Sequence, residues 1–318
     1  MNTAMAAWQW TGTGRPLTLN QVPVPTPGAD EVLIRVRAAG MCHSDVGELD
    51  EPSWAATITR NPITLGHEIA GEIAQVGVAV TQWQVGDRVG VHPLGETVPG
   101  YSRDGGYAAY TLAPATDLVA MPDGLRFDLA AAGTDAGMTS HHAVAEVARV
   151  GAGDRVGIIG LGGLGQFGAR IAALLGAEVY AADTSPAAVA LGEQLGLAAV
   201  HPRAEDLIGL GLDAVIDFAG FGSTTSAAVG AIRKGGTIVM VGLGAVETTL
   251  VTADVIHQRA HIHGSSGGTR EDIATVYDYL ARGEITPTIE HIDHDRVPEG
   301  IERLRAGRVT GRLVVTTN

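Results

Sequence analysis

Gly160-Leu161-Gly162-Gly163-Leu164-Gly165 is the stretch on which the reading of this chain turns. A short apolar run at 156–159 precedes it, and a helical pattern at 166–175 follows it. A bare Gly-x-Gly-x-x-Gly is weak evidence, but strand, glycine turn and helix in that order point to a dinucleotide site. The first glycine allows the tight turn, Gly162 lets the backbone approach a pyrophosphate, and Gly165 permits close helix–strand packing. The helix N-terminus offers free N–H groups and the positive end of its dipole to the phosphates.

Downstream, a second strand at 178–182 ends at Asp183. A carboxylate at that place accepts hydrogen bonds from the ribose hydroxyls and repels a 2′-phosphate. Thr184, Ser185 and Pro186 follow without an Arg or Lys, so NAD is expected over NADP. The bland alternative is a structural turn with a helix-capping Asp. Ser185-Pro186 starts a helix, with a hydroxyl N-cap and proline at the first helical position. Further strands at 214–216 and 237–241 alternate with helical segments, which argues a parallel, doubly wound sheet.

Upstream of about residue 135 the texture is β. Residues 31–38 alternate, with Val32, Ile34 and Val36 on one face and Arg35 and Arg37 on the other. Residues 69–80 and 87–91 are further short strands, punctuated by Gly66, Gly71, Gly77 and Gly86, so a barrel-like all-β unit is expected here. After His263 a helix at 271–281 and a closing strand at 311–317 suggest that the tail rejoins the first unit. The expected division is 1–136, 137–264 and 265–318, the first and third parts forming one domain.

Composition excludes several classes. With 318 residues the chain has core enough for two domains. A formal net charge of −14 argues against nucleic acid and anionic membranes as partners. A signal peptide is not indicated and no uncharged apolar run approaches bilayer-spanning length, so the expected location is the cytoplasm. Cys42 is the single cysteine, so no internal disulfide framework exists.

Cys42-His43-Ser44-Asp45 follows the strand at 31–38, and Gly66-His67-Glu68 comes later. Thiolate and imidazole are natural zinc ligands, and zinc accepts carboxylate oxygen as well. The residues themselves leave the third ligand open among Glu68, Asp135 and several histidines. Taken singly, Cys42 reads as inert packing, His67 with Glu68 as a core polar pair, and Asp135 as a helix N-cap.

The segment Gly66-His67-Glu68-Ile69-Ala70-Gly71-Glu72-Ile73 with Gly77 resembles the zinc signature of medium-chain alcohol dehydrogenases. Cys42-His43-Ser44-Asp45 is similar to that family's first-ligand motif, and Val85-Gly86-Asp87-Arg88-Val89 and Asp104-Gly105-Gly106-Tyr107-Ala108 to its common elements. The resemblance covers essentially the whole chain. It implies an α/β plus β architecture, a GroES-like catalytic domain with a Rossmann domain. It also implies one catalytic Zn²⁺, NAD(H), and hydride transfer between a small alcohol or carbonyl compound and nicotinamide. Cys42, His67 and Asp135 would hold the metal, with Glu68 as an alternate ligand and Asp45 behind His67. Ser44 would hydrogen-bond the substrate oxygen and pass its proton outward. Family position further implies cofactor contacts from Gly160, Gly162, Gly163, Leu164, Gly165, Asp183, Gly242, Leu243, Arg312, His43 and Thr139. Arg312 reads equally well as a solvated surface residue, and Trp54, Leu49 and His92, candidates for the substrate wall, as simple packing. A homo-oligomer, dimer or tetramer, is implied as well.

The sequence departs from the family pattern in three ways. The four-cysteine lobe for structural zinc is replaced by a short loop at 92–103, so one zinc is expected. Gly47 stands where a relay histidine is often found, so the relay must end elsewhere, through ribose to water or at His43. Asp135 stands where the third ligand is usually Cys. Competing readings are an NAD(P)H-dependent C=C reductase, a polyol dehydrogenase on the same fold, and a non-catalytic dinucleotide-binding relative.

Overall fold

The computed structural model describes residues 3–317. It divides into two compact units: 1–135 with 269–283 and 289–318, and 136–268 with 284–288.

The first unit is mainly antiparallel β. Its seven-stranded sheet runs Ile289–Asp293, Arg312–Thr316, Glu31–Met41, Glu68–Val76, Arg88–Val91, Leu118–Ala120, with Tyr110–Pro114 also paired to Glu31–Met41. A three-stranded sheet places Ala4–Trp10 between Thr18–Pro23 and Ile63–Thr64. The alternation at Val32, Ile34 and Val36 is realised as burial, but Leu33 is buried too, so this central strand is covered on both faces over part of its length. Register matters more for the site than twist does. Gly40 stands opposite Glu68, and Leu313 opposite Met41, so Cys42, Glu68 and Arg312 come to one end of the sheet. Gly40 cannot be larger, because a Cβ there would lie 1.8 Å from Glu68 Oε2.

The second unit is an all-parallel, six-stranded sheet ordered Ala199–His201, Glu178–Ala182, Arg155–Ile159, Leu212–Asp217, Ile232–Met240, His261–Gly264. Counted along the chain this is the order 3-2-1-4-5-6 of a Rossmann sheet, whose switch point lies between the first and fourth strands. Helix Gly165–Leu174 follows the glycine turn, and Ser185 caps Pro186–Gln194 by accepting from Ala188 N.

The tail departs from the division expected from sequence. It rejoins the first unit at 269 rather than 265, and 284–288 belongs to the second unit. The cause is a side chain that mimics a backbone ladder. Gln166 accepts from Thr288 N and donates to Thr288 O, and Arg170 donates to Glu284 O. Helix Arg270–Ala281 is held at its start by a capping box between Thr269 and Asp272.

Candidate active site

Cys42 is the N-cap of the short helix His43–Asp50, and Asp45 in the first turn accepts from Cys42 N at 2.9 Å. The same Asp45 oxygen accepts from the buried Tyr107 hydroxyl at 2.7 Å. Gly66 has φ +92, and a Cβ there would meet the Tyr107 ring at 2.7 Å, so the ring packs beneath the turn that presents His67. His67 leads into Glu68–Val76. Asp135 lies in a π-helical turn, Gly133–Gly137, just after helix Phe127–Ala132, and so is not the N-cap that its sequence setting allowed. Turns of this kind recur where a side chain is re-aimed for function.

These elements converge. One ligand atom from each of Cys42, His67, Glu68 and Asp135 falls within 4.8 Å of all the others. His67 Nε2 is 3.5 Å from Asp135, and its Nδ1 is 3.9 Å from Asp45. Asp45 thus lies beside the imidazole at ion-pair rather than hydrogen-bond distance. Burial alone would raise the Cys42 thiol, but the Arg312 guanidinium and a hydrogen bond with His67 outweigh it and bring the thiol down to about 7. Burial would lower His67, yet hydrogen bonds with Asp135 and Cys42 push it well above the usual imidazole range. A thiol that ionises near neutrality, an imidazole and two carboxylates aimed at one point suit zinc better than a hard, all-oxygen cation.

In the second unit, Gly160 has φ +86, and a Cβ on Gly165 would lie 1.7 Å from Gly160 O, so both positions require glycine. A Cβ on Gly162 would meet nothing within 4 Å, which leaves open space over the turn where a pyrophosphate would lie. The Asp183 oxygens accept from Leu161 N at 2.7 Å and Ser185 N at 2.8 Å. A carboxylate offers about four acceptor positions, so it keeps capacity for ribose hydroxyls.

Residues 28–123 match the alcohol dehydrogenase GroES-like domain family, and 163–282 match the zinc-binding dehydrogenase family. An alcohol dehydrogenase of Geobacillus stearothermophilus is 32% identical over 95% of this chain and 96% of its own length. The chain belongs to the medium-chain zinc alcohol dehydrogenase family. Acetophenone reductase from Geotrichum candidum, solved in complex with NAD, superimposes with a TM-score of 0.90 at 30% identity, covering 100% of this chain and 98% of that one. An NADP-dependent alcohol dehydrogenase C of Mycolicibacterium smegmatis is 27% identical over 99% of this chain and 98% of its own.

Within this alcohol dehydrogenase framework the remaining residues fall as follows. Ser44 is half-buried, with an Oγ that lacks a hydrogen bond of ordinary geometry. His43 is exposed beside it. Leu164 caps helix Gly165–Leu174, its carbonyl accepting from Ser140, and Thr139 is buried in Met138–His141. Gly242 donates to Asp217 O, and a Cβ on it would lie 2.4 Å from Phe218 O, whereas Leu243 is 62% exposed. Leu49 is buried in the core, the Trp54 ring lies against Gly47, and His92 N donates to Asp117 O.

Arg312 corrects the surface reading: it is 4% exposed. Its guanidinium is paired with both Glu68 oxygens, Nε donating at 3.0 Å, and its Nη2 is 3.8 Å from Asp135. Sequence reasoning also passed over Tyr107, Tyr101 and Glu48. The available signal for Glu48 was its spacing from Ser44 on one helix.

Proposed function

We propose that the chain is a zinc-dependent oxidoreductase that moves a hydride between a small alcohol, or a ketone or aldehyde in reverse, and NAD(H). The observation that carries this is the convergence of Cys42, His67, Glu68 and Asp135. Cys42, His67 and Asp135 would hold one zinc. Glu68, held by Arg312, stands by as the alternate donor. When bound, zinc supplies Lewis acidity toward a substrate oxygen, and the dinucleotide accepts or donates the hydride. Asp45 and Tyr107 fix the Cys42 turn, so the donors are positioned before a metal arrives. Ser44 Oγ, without a hydrogen bond of ordinary geometry, is the group that accepts or returns the substrate hydroxyl proton.

The test is a zinc-replete kinetic screen of secondary and primary alcohols, ketones, polyols and activated alkenes with NAD and NADP, beside a metal count. One zinc per chain and NAD-linked alcohol or ketone turnover is the expected result. Turnover confined to activated alkenes sinks the alcohol assignment. No turnover together with no bound zinc sinks the enzyme assignment.

Asp183 is the basis for NAD. Replacing Asp183 with Gly and Thr184 with Arg removes the ribose acceptor and adds a phosphate partner. A hydrogen bond to a charged group contributes about 1.5–3 kcal/mol, so kcat/KM with NAD is expected to fall roughly 10- to 100-fold. Activity with NADP should rise. An unchanged KM for NAD would show that Asp183 does not bind the ribose.

A further inference from the structure

A relay histidine at position 47 would have to displace the Trp54 ring, because a Cβ on Gly47 would lie 2.6 Å from Trp54 Cδ2. One turn after Ser44 on the same helix stands Glu48, and i,i+4 spacing places the two side chains on one face. Glu48 is 1% exposed. The Tyr101 hydroxyl faces both Ser44 and Glu48 closely enough to interact with each, yet both Glu48 oxygens and Ser44 Oγ lack a hydrogen bond of ordinary geometry. A buried carboxylate is costly without partners, and a purely structural one is normally satisfied. Loose hydrogen bonds that tighten only with substrate are usual in a resting active site.

We propose that Ser44, Tyr101 and Glu48 form the proton relay, with Glu48 as its inner acceptor. This rests on the hydride-transfer reading above. In alcohol oxidation the substrate O–H bond breaks and its proton bonds to Ser44 Oγ. The Ser44 proton passes to Tyr101 Oη, and the Tyr101 proton to a Glu48 oxygen. The C–H electron pair leaves as hydride to the nicotinamide, so a carbonyl and a neutral Glu48 remain. Reduction runs each transfer backwards. Tyr101, half-buried, returns the Glu48 proton to solvent between turnovers.

Burial, then the Asp45 carboxylate, pushes Glu48 up to about 8, against Tyr101 and His67, which pull it down; Cys42 adds to the rise.

The experiment compares wild type, Glu48→Gln, Glu48→Asp and Tyr101→Phe, each with its zinc content and KM for NAD measured. Gln and Phe variants are expected to lose roughly 10- to 100-fold in kcat with zinc and KM unchanged, since a positioned proton acceptor contributes at that scale or above. The Asp variant should recover part of the loss, and the ionisation that wild type shows for its inner acceptor should vanish from the kcat profile of the Gln variant.

A second readout needs no turnover. An acid raised on folding destabilises the folded state increasingly as pH climbs from its unfolded value toward its folded one. The Tm gain of Glu48→Gln over wild type should therefore open between pH 5 and about 8 and level off above. Wild-type kcat and pH profile in both Gln and Phe variants would overturn the relay, as would a Tm difference that is flat with pH. Failure of wild type itself to oxidise any alcohol would overturn the functional reading and the relay with it.

Discussion

Asp135→Ala is expected to leave a folded protein with less than a tenth of a zinc per chain and almost no turnover. Asp135 supplies one of four donors gathered within 4.8 Å, and its side chain is 18% exposed. Truncating it therefore removes a ligand without opening a hole in the core. Cys42 and His67 then remain, and Glu68 can take the place of Asp135 only by giving up Arg312. Two ligands do not make a tight zinc site. The metal contributes several kcal/mol of charge stabilisation, and each 1.36 kcal/mol is tenfold, so kcat/KM should drop by about 10³ or more. Circular dichroism, metal analysis and steady-state kinetics on one preparation decide it. A variant that keeps one zinc and normal rates would remove Asp135 from the site.

The largest effect on stability is expected at Arg312. Its guanidinium pairs with Glu68, which is fully buried beneath Gly40. Arg312→Met keeps the bulk of the side chain but strands a carboxylate in the core. Breaking one side of a buried pair costs about 3–5 kcal/mol. Urea unfolding should show that loss, and Glu68→Gln in the same chain should restore most of it. Arg312 is also the strongest influence lowering the Cys42 thiol, so in metal-free protein that thiol should ionise above about 7 in the Met variant. Thiolate absorbance followed against pH measures the change. An unaltered unfolding midpoint would mean that Arg312 does not compensate Glu68.

Those two outcomes depend on features of unequal visibility in the sequence. The glycine turn, its flanking strand and helix, and the Ser185 cap were readable because each is local: a few neighbouring residues fix the backbone and its hydrogen bonds. Cys42 and His67 were candidates by their chemistry, but the full set with Asp135 came only through the resemblance, since their approach depends on the antiparallel register of Glu31–Met41 and Glu68–Val76 and on a π-helical turn. Arg312 shows where local reading stops. Its partner Glu68 lies 244 positions away, and Gly311-Arg312-Leu313 offers nothing to distinguish a buried pair from a solvated end. Glu48 was hidden differently. A glutamate on a short helix is ordinarily solvent-facing, and only the folded chain, in which Glu48 is 1% exposed with Tyr101 beside it, reveals the burial. The return of 284–288 to the second unit likewise rests on distant partners, Gln166 pairing with Thr288 and Arg170 with Glu284.

Cys42 is the only sulfhydryl in the chain, and it ionises near neutrality at the point where the four donors meet. An electrophile such as iodoacetamide therefore has a single address on this polypeptide. If the four donors hold a metal as proposed, carboxamidomethylation read by intact mass becomes a census of vacant centres, because a bound ion would shield the thiol and its absence would leave it open to an adduct.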